Sequence, residues 1–447
     1  MARVCFVLVA GLDGEVMGKG AGLPVLGAFG NRGAYEPVFP AVTCTVQATL
    51  TTGDLPARHG IVCNGAYTHG RADIRPHLDL SNHAETRVNV SFWEQANSLV
   101  QSPRFWEGTG KKTAILFWQN SMPSLAGEKA AAEIVLTPKP EHTKDGKTVT
   151  ACWSSPSDLY GRLANELGPF PLHKYWSPMA GIESSEWIAK AAERVWRREK
   201  PDLQLVYIPH LDYNLQRVGP KGEVIGRDLA EVDRVLGPLA ERVRADGGIL
   251  VVAGDYGMHD VRACAMPNLA LREAGLLATQ VDAQGKVLVD YDASAAFVMC
   301  DHQVAHAYVR EREEEVVAVL RGLNGVARML VTKEDLTAAG LGNARSGDLL
   351  LIAEESAWFA HDWWRDDSEK PAWQFGVDIH NKPGFDPREL FFDPVKKCIA
   401  QDVGLVKGSH GVVGAEAKWP VILSDAGLPQ SGRLKATDIA GWLKSLL

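Results

Sequence analysis

Val4-Cys5-Phe6-Val7-Leu8-Val9-Ala10-Gly11-Leu12-Asp13-Gly14 is the stretch on which the reading of the fold turns. Its apolar residues do not alternate with polar ones, so a strand here is buried on both faces, as in a parallel sheet covered by helices. The run falls well short of the roughly 20 apolar residues that a membrane span needs, and no signal cleavage site follows it. Similar runs recur at Thr113–Trp118, Leu203–Ile208, Ile249–Ala253, Ala295–Met299 and Leu349–Ala353. Helical patterns lie between them. Ser185–Lys200 is rich in Ala, Glu, Arg and Trp. Leu229, Val232, Leu236, Leu239 and Val243 form an apolar stripe with a kink point at Gly237-Pro238, and Thr437–Leu447 is amphipathic. Strands alternating with helices predict an α/β fold around a mainly parallel sheet.

A chain of 447 residues, 46% hydrophobic and 23% charged, has enough apolar mass for a large core. The net charge of −8 argues against a nucleic-acid polymer as partner, because that surface needs excess Lys and Arg. Seven scattered cysteines form no CxxC pair, which fits reduced thiols in a cytoplasmic protein. No segment is apolar enough to imply a membrane partner, and the oligomeric state is open. Residues 66–110 and 262–405 are irregular, as lids and functional loops are. The expected division is a catalytic core of 1–261 and 406–447 that includes a strand at 346–354. A cap spans 262–345, and a second insertion at 355–405 lies near the active site. Trp358–Arg365 either stacks a base and lines a pocket or packs the cap.

In open parallel sheets, ligands bind beyond the carboxyl ends of the strands. Asp13, Asp212 and Asp255 each follow a buried run, and His410 sits in Lys407-Gly408-Ser409-His410-Gly411. Each acid alone is more often a helix cap or a turn former. Three acids and a His on one sheet edge repel unless a cation joins them. Between the first and second strands lies Phe39-Pro40-Ala41-Val42-Thr43-Cys44-Thr45, followed by Thr52-Gly53 and His59-Gly60-Ile61-Val62-Cys63-Asn64. Hydroxyls opening a helix either hold an anion or simply cap it.

In this order the motifs resemble the alkaline phosphatase superfamily, closest to its nucleotide pyrophosphatase/phosphodiesterase branch. The resemblance implies an alkaline-phosphatase-like α/β/α sandwich with an inserted cap. It implies a metal-dependent phosphodiesterase or pyrophosphatase acting through a phosphothreonyl intermediate, with a small phosphate ester as substrate and two divalent cations. Zinc or manganese is expected, with magnesium or iron as further candidates. By this resemblance Thr43 is the nucleophile and Asn64 bonds a phosphoryl oxygen. Asp13, Thr43 and Asp255 hold one cation, and Asp212 and His410 hold the other. A phosphonate hydrolase, a phosphomonoesterase and a weak metal-binding scaffold are the alternatives on the same core.

Two imidazoles of the branch pattern are missing. Gln216 stands four residues after Asp212, and Tyr256 directly follows Asp255. Both are counted among the metal ligands, Gln216 through its amide oxygen and Tyr256 through a phenolate, with hydrogen bonding as the alternative role. His380 is the expected replacement imidazole, and His210 and His259 are further candidates.

Overall fold

The six residues of β1 (Val4–Val9) are fully buried, which accounts for their unbroken apolar run. The chain is described here from a computed structural model over residues 2–71, 73–75, 89–124, 128–139, 141–142, 148–149, 151–429 and 433–447. After β1 come β2 (Asn31–Ala34), α1 (Thr43–Thr52), β3 (Thr113–Leu116), β4 (Ile134–Pro138) and β5 (Cys152–Ser155). They are followed by α2 (Ile182–Glu199), β6 (Leu203–Ile208), α3 (His210–Val218), α4 (Val224–Ala245) and β7 (Ile249–Gly254). β8 (Val421–Ser424) and α5 (Ala436–Leu446) complete the core. The strands form one sheet in the order β2-β8-β7-β1-β6-β3-β4-β5. Its centre is parallel: β1 pairs with β6 and β7, β6 with β3, and β3 with β4. Antiparallel β8, β2 and β5 finish the two sides.

The helices pack α2 with α4 and α1 with α5, and apolar residues of both groups join the core of the sheet. The stripe expected from Leu229 to Val243 lies on α4, which carries Pro238 within it. This is an α/β/α sandwich with a mainly parallel sheet. Parallel pairing puts the carboxyl ends of β1, β6 and β7 on one edge, so Asp13, Asp212 and Asp255 lie on one side of the molecule.

A second sheet carries the strands Ala296–Asp301, Val304–Val309, Val326–Leu330 and Leu349–Ala353. Leu349–Ala353 therefore belongs to the inserted sheet, not to the catalytic core as its sequence suggested. An apolar run reports burial, not partner, and this strand is buried between two inserted strands. Trp363 and Trp364 are buried in the same core, with their rings 4.1 Å apart and both indole N–H groups donating to Val287 O. The aromatic stretch is therefore packing. Among the described residues, no helix is long and apolar enough to cross a membrane.

Candidate active site

At the end of β1, Gly11 takes φ +68° and turns the chain toward Asp13. Asp13 Oδ1 accepts from Val16 N–H at 2.8 Å, capping the short helix Gly14–Met17, and Oδ2 accepts from Met258 N–H at 3.3 Å. The cap and the site residue are thus one group. A Cβ on Gly254 would stand 1.9 Å from Leu12 O, so the ends of β1 and β7 meet only because position 254 is glycine. Asp255 follows. Its Oδ1 accepts from Gly11 and Tyr256 N–H at 2.9 Å each, and its Oδ2 is buried with no hydrogen-bond partner.

Asp212 lies in the first turn of α3. Gln216, one turn on, donates its Nε2 to Asp212 Oδ2 at 2.5 Å, and the Tyr256 hydroxyl donates to Oδ1 at 3.1 Å. Gln216 Oε1 is buried and unpartnered. A Cβ on Gly408 would lie 2.0 Å from Leu215 O, so the segment leading to His410 can lie directly on α3. The His410 ring is held by Nδ1 against Ala41 O at 2.8 Å and lies flat on the Tyr256 ring at 3.5 Å.

Thr43 is the first residue of α1 and is buried. The N-cap is Val42, whose side chain makes no cap, so Thr43 is not the capping residue. Its hydroxyl meets the phenols of Tyr207 and Tyr256. The first-turn N–H groups of a helix have no intrahelical acceptor, which favours negative charge at this end. Asn64 Oδ1 accepts from Cys44 N–H at 2.8 Å, and Asn64 Nδ2 donates to Asp301 Oδ1 at 3.1 Å. One amide hydrogen of Asn64 has no protein acceptor.

Burial pushes Asp13 and Asp212 up to about 6, against backbone bonds at Asp13 and the Gln216 and Tyr256 bonds at Asp212. Asp255 is raised well above the usual carboxylate range, first by burial and then by Asp212 nearby. Burial also raises the Tyr256 phenol well above its ordinary value, so it donates to Asp212 as a neutral group. His410 is lowered by burial and by His302.

The replacement imidazoles do not gather as the sequence suggested. Among the described residues, the one set of three or more His, Cys, Asp and Glu donors within 4.8 Å of one another is His210, Asp228 and Glu231. Asp212, His380 and His410 therefore do not converge, nor do Asp13, Asp255 and His259. His380 pairs through Nδ1 with Phe92 O at 3.1 Å, and His259 Nε2 lies 3.3 Å from Val412 O. His210 turns to Glu231 on α4, 3.2 Å away.

The imidazole that does reach His410 is His302, with ring centres 3.8 Å apart. It comes from the two-residue turn between the inserted strands ending at Asp301 and starting at Val304, and it takes φ +58°. Such a turn position ordinarily takes Gly, Asn or Asp, so the histidine between Asp301 and Gln303 was the available signal. His302 Nδ1 bonds Asp301 Oδ1 at 2.7 Å, and Asp301 in turn holds Asn64 through both backbone and side chain.

The donor set can be tested against a divalent cation at each end. Asp13 and Asp255 are buried carboxylates after β1 and β7, and Thr43 offers a buried hydroxyl at the start of α1. With Asp255 Oδ2 unpartnered, these oxygen donors fit a hard cation. At Asp212 both oxygens already face neutral donors, and a second cation does not fit the residues as they stand.

Residues 4–386 match the type I phosphodiesterase / nucleotide pyrophosphatase family. No curated protein shows significant similarity. Among solved structures, phosphonoacetate hydrolase from Sinorhizobium meliloti 1021 in complex with phosphonoacetate is similar at TM-score 0.61 and 17% identity, covering 100% of this chain and 96% of that one. Murine ectonucleotide pyrophosphatase / phosphodiesterase 5, in an inactive form in complex with AMP, is similar at TM-score 0.59 and 15% identity, covering 100% and 95%. The human counterpart is similar at 0.60 and 15%, covering 99% and 94%. These likenesses bear on the fold.

Proposed function

We infer its reaction from one premise: the chain belongs to the type I phosphodiesterase / nucleotide pyrophosphatase family and is a phosphoester hydrolase. On that premise, we propose that it cleaves small phosphodiesters through a phosphothreonyl intermediate on Thr43. The observation that carries this reading is the placement of the Thr43 hydroxyl. It is buried at the N-terminus of α1, against the phenols of Tyr207 and Tyr256. Asp13, Thr43 and Asp255 would hold a divalent cation. Bound there, it supplies positive charge that lowers the pKa of the Thr43 hydroxyl, which is otherwise a poor nucleophile near neutral pH. Thr43 Oγ attacks phosphorus, the bond to the leaving oxygen breaks, and water later cleaves the Thr43–phosphorus bond. Asn64, clamped by Asp301, keeps one N–H for an equatorial oxygen that gains charge in the transition state.

A diester is favoured over a monoester on charge. Asp13, Asp212, Asp255 and Asp301 are buried in this region, and the cations that act on Asp13 and Asp212, Lys418 and Arg217, do so only at longer range. A monoanionic diester meets less repulsion than a dianionic monoester. The neighbours bound to phosphonoacetate and to AMP bracket the ester and phosphonate classes to be compared. Seven unpaired cysteines fit a cytoplasmic setting.

Thr43→Ala is expected to lose about three orders of magnitude or more in kcat/KM, as for a group acting in the transition state. Rapid quench of the wild type should place a phosphoryl adduct on the Thr43 peptide. Chelation should abolish turnover, and manganese should restore it. A loss below tenfold in Thr43→Ala, or an adduct elsewhere, would remove Thr43 as nucleophile. A higher kcat/KM for nitrophenyl phosphate than for its bis-ester would move the assignment to a monoesterase.

A further inference from the structure

Gln216 and Tyr256 come from different elements, α3 and the turn after β7, yet they act on the same carboxylate. Each stands where the family pattern has an imidazole. The Gln216 amide takes one oxygen of Asp212 and the Tyr256 hydroxyl takes the other. A buried carboxylate without a cation is costly unless its lone pairs are hydrogen-bonded, and at Asp212 both oxygens are. The two exchanges are therefore one change, since either alone leaves an Asp212 oxygen without its donor. Tyr256 also spans the gap physically, with its ring flat on His410 and its hydroxyl on Asp212. The other end differs. Asp255 Oδ2 is buried with no donor, and the Asp13 carboxylate accepts only from backbone N–H groups.

We propose that this chain holds one divalent cation in its active site, on Asp13, Thr43 and Asp255, and that Tyr256 and Gln216 together occupy the place of a second beside Asp212 and His410. The proposal rests on the assignment of the active site above but is tested by counting ions, not by turnover. Gln216 Oε1 has no protein partner and is the donor a second ion could still recruit.

The test loads stripped wild type, Asp255→Asn, Asp212→Asn and the double variant Tyr256→His/Gln216→His with Mn²⁺, and separately with Zn²⁺. Bound metal per chain is then read by plasma mass spectrometry after gel filtration. The His210, Asp228 and Glu231 group is common to all four proteins, so any ion there cancels in the differences. Relative to wild type, Asp255→Asn should lose one ion, Asp212→Asn should lose none, and the double variant should gain one. Release of an ion by Asp212→Asn, or no gain in the double variant, overturns the proposal. If Asp212→Asn does not fold, the double variant decides alone, because it adds ligands and removes none. A wrong nucleophile would show instead in the adduct on Thr43 and would leave these counts unchanged.

Discussion

Two buried groups of charged residues lie in this molecule, and they are built on opposite plans. In the segment 362–389, Arg388 grips Asp362 with two nitrogens at 2.6 and 3.0 Å and Asp386 with a third at 2.6 Å. Lys382 bridges Asp386 at 2.9 Å and Glu389 at 2.8 Å, and Lys370 stands 3.8 Å from Asp362. Three cations face three carboxylates. Burial raises Asp362 and Asp386, but Arg388 with His361, and at Asp386 Lys382 as well, holds both below the usual carboxylate range. On the sheet edge, Asp13, Asp212 and Asp255 are as deeply buried, yet their donors are backbone N–H groups, an amide and a phenol. All three are raised. The first group neutralises itself and ties the insertion to the core, where Glu389 also accepts from the Trp176 indole at 2.6 Å. The second is short of positive charge, as the cation site proposed above requires.

The comparison breaks first on Asp255→Asn. This substitution should cost about three orders of magnitude in kcat/KM, close to 4 kcal/mol of transition-state stabilisation. It should leave the thermal midpoint of the chelated protein unchanged or higher, because an unpaired buried charge is removed. A fall in midpoint would mean the carboxylate is structural and the contrast false. Arg388→Leu should behave the opposite way. It leaves Asp362 and Asp386 buried without their partner and should destabilise by about 3 to 5 kcal/mol in urea unfolding, the usual cost of breaking a buried pair from one side. A loss under 1 kcal/mol would show that the balanced group is ornamental.

Stability against pH sharpens the contrast, because Asp13 and Asp212 shift the opposite way from Asp362 and Asp386. Asp13 and Asp212, near 6 when folded and about 4 unfolded, bind more protons in the native state between those values. The chelated protein should therefore lose stability as pH rises from about 4 to about 6, and added cation should flatten that slope. Asp362 and Asp386 are lowered, so their contribution is present above about 4 and is lost as pH falls through their folded values. Thermal midpoints between about pH 2.5 and 7.5, with and without manganese, read both arms. A slope that cation leaves untouched would assign it to other groups. The smallest effect is that of Thr45→Ala, two positions beyond the helix start. Thr45 Oγ1 donates to Ile61 O at 3.1 Å, away from the site. It should cost about 1 kcal/mol of stability and less than twofold in kcat/KM, which a steady-state assay beside Thr43→Ala will show.

Much of the core was legible in the chain itself. Unbroken apolar runs at Val4–Ala10, Leu203–Ile208 and Ile249–Ala253 reported burial on both faces. The residue after each run fell on the sheet edge because parallel strands end together. The same logic misassigned Leu349–Ala353, whose run is equally apolar but whose partners are inserted strands. It was silent on His302, which reaches His410 only because a tight turn presents it there.

Sequence alone therefore determined the α/β class and the family, and it named Thr43 and the three strand-end acids as the candidates. These depend on local periodicity and on motifs whose spacing is read along the chain. Tertiary structure decided the remaining points: that Trp363 and Trp364 pack a core, that His210, His259 and His380 do not gather at the acids, and that Gln216 and Tyr256 share Asp212. Local pattern records how deeply a residue is buried and on which period. Which groups meet across the interior is set by how sheets, helices and insertions pack, and no stretch of sequence contains that information by itself.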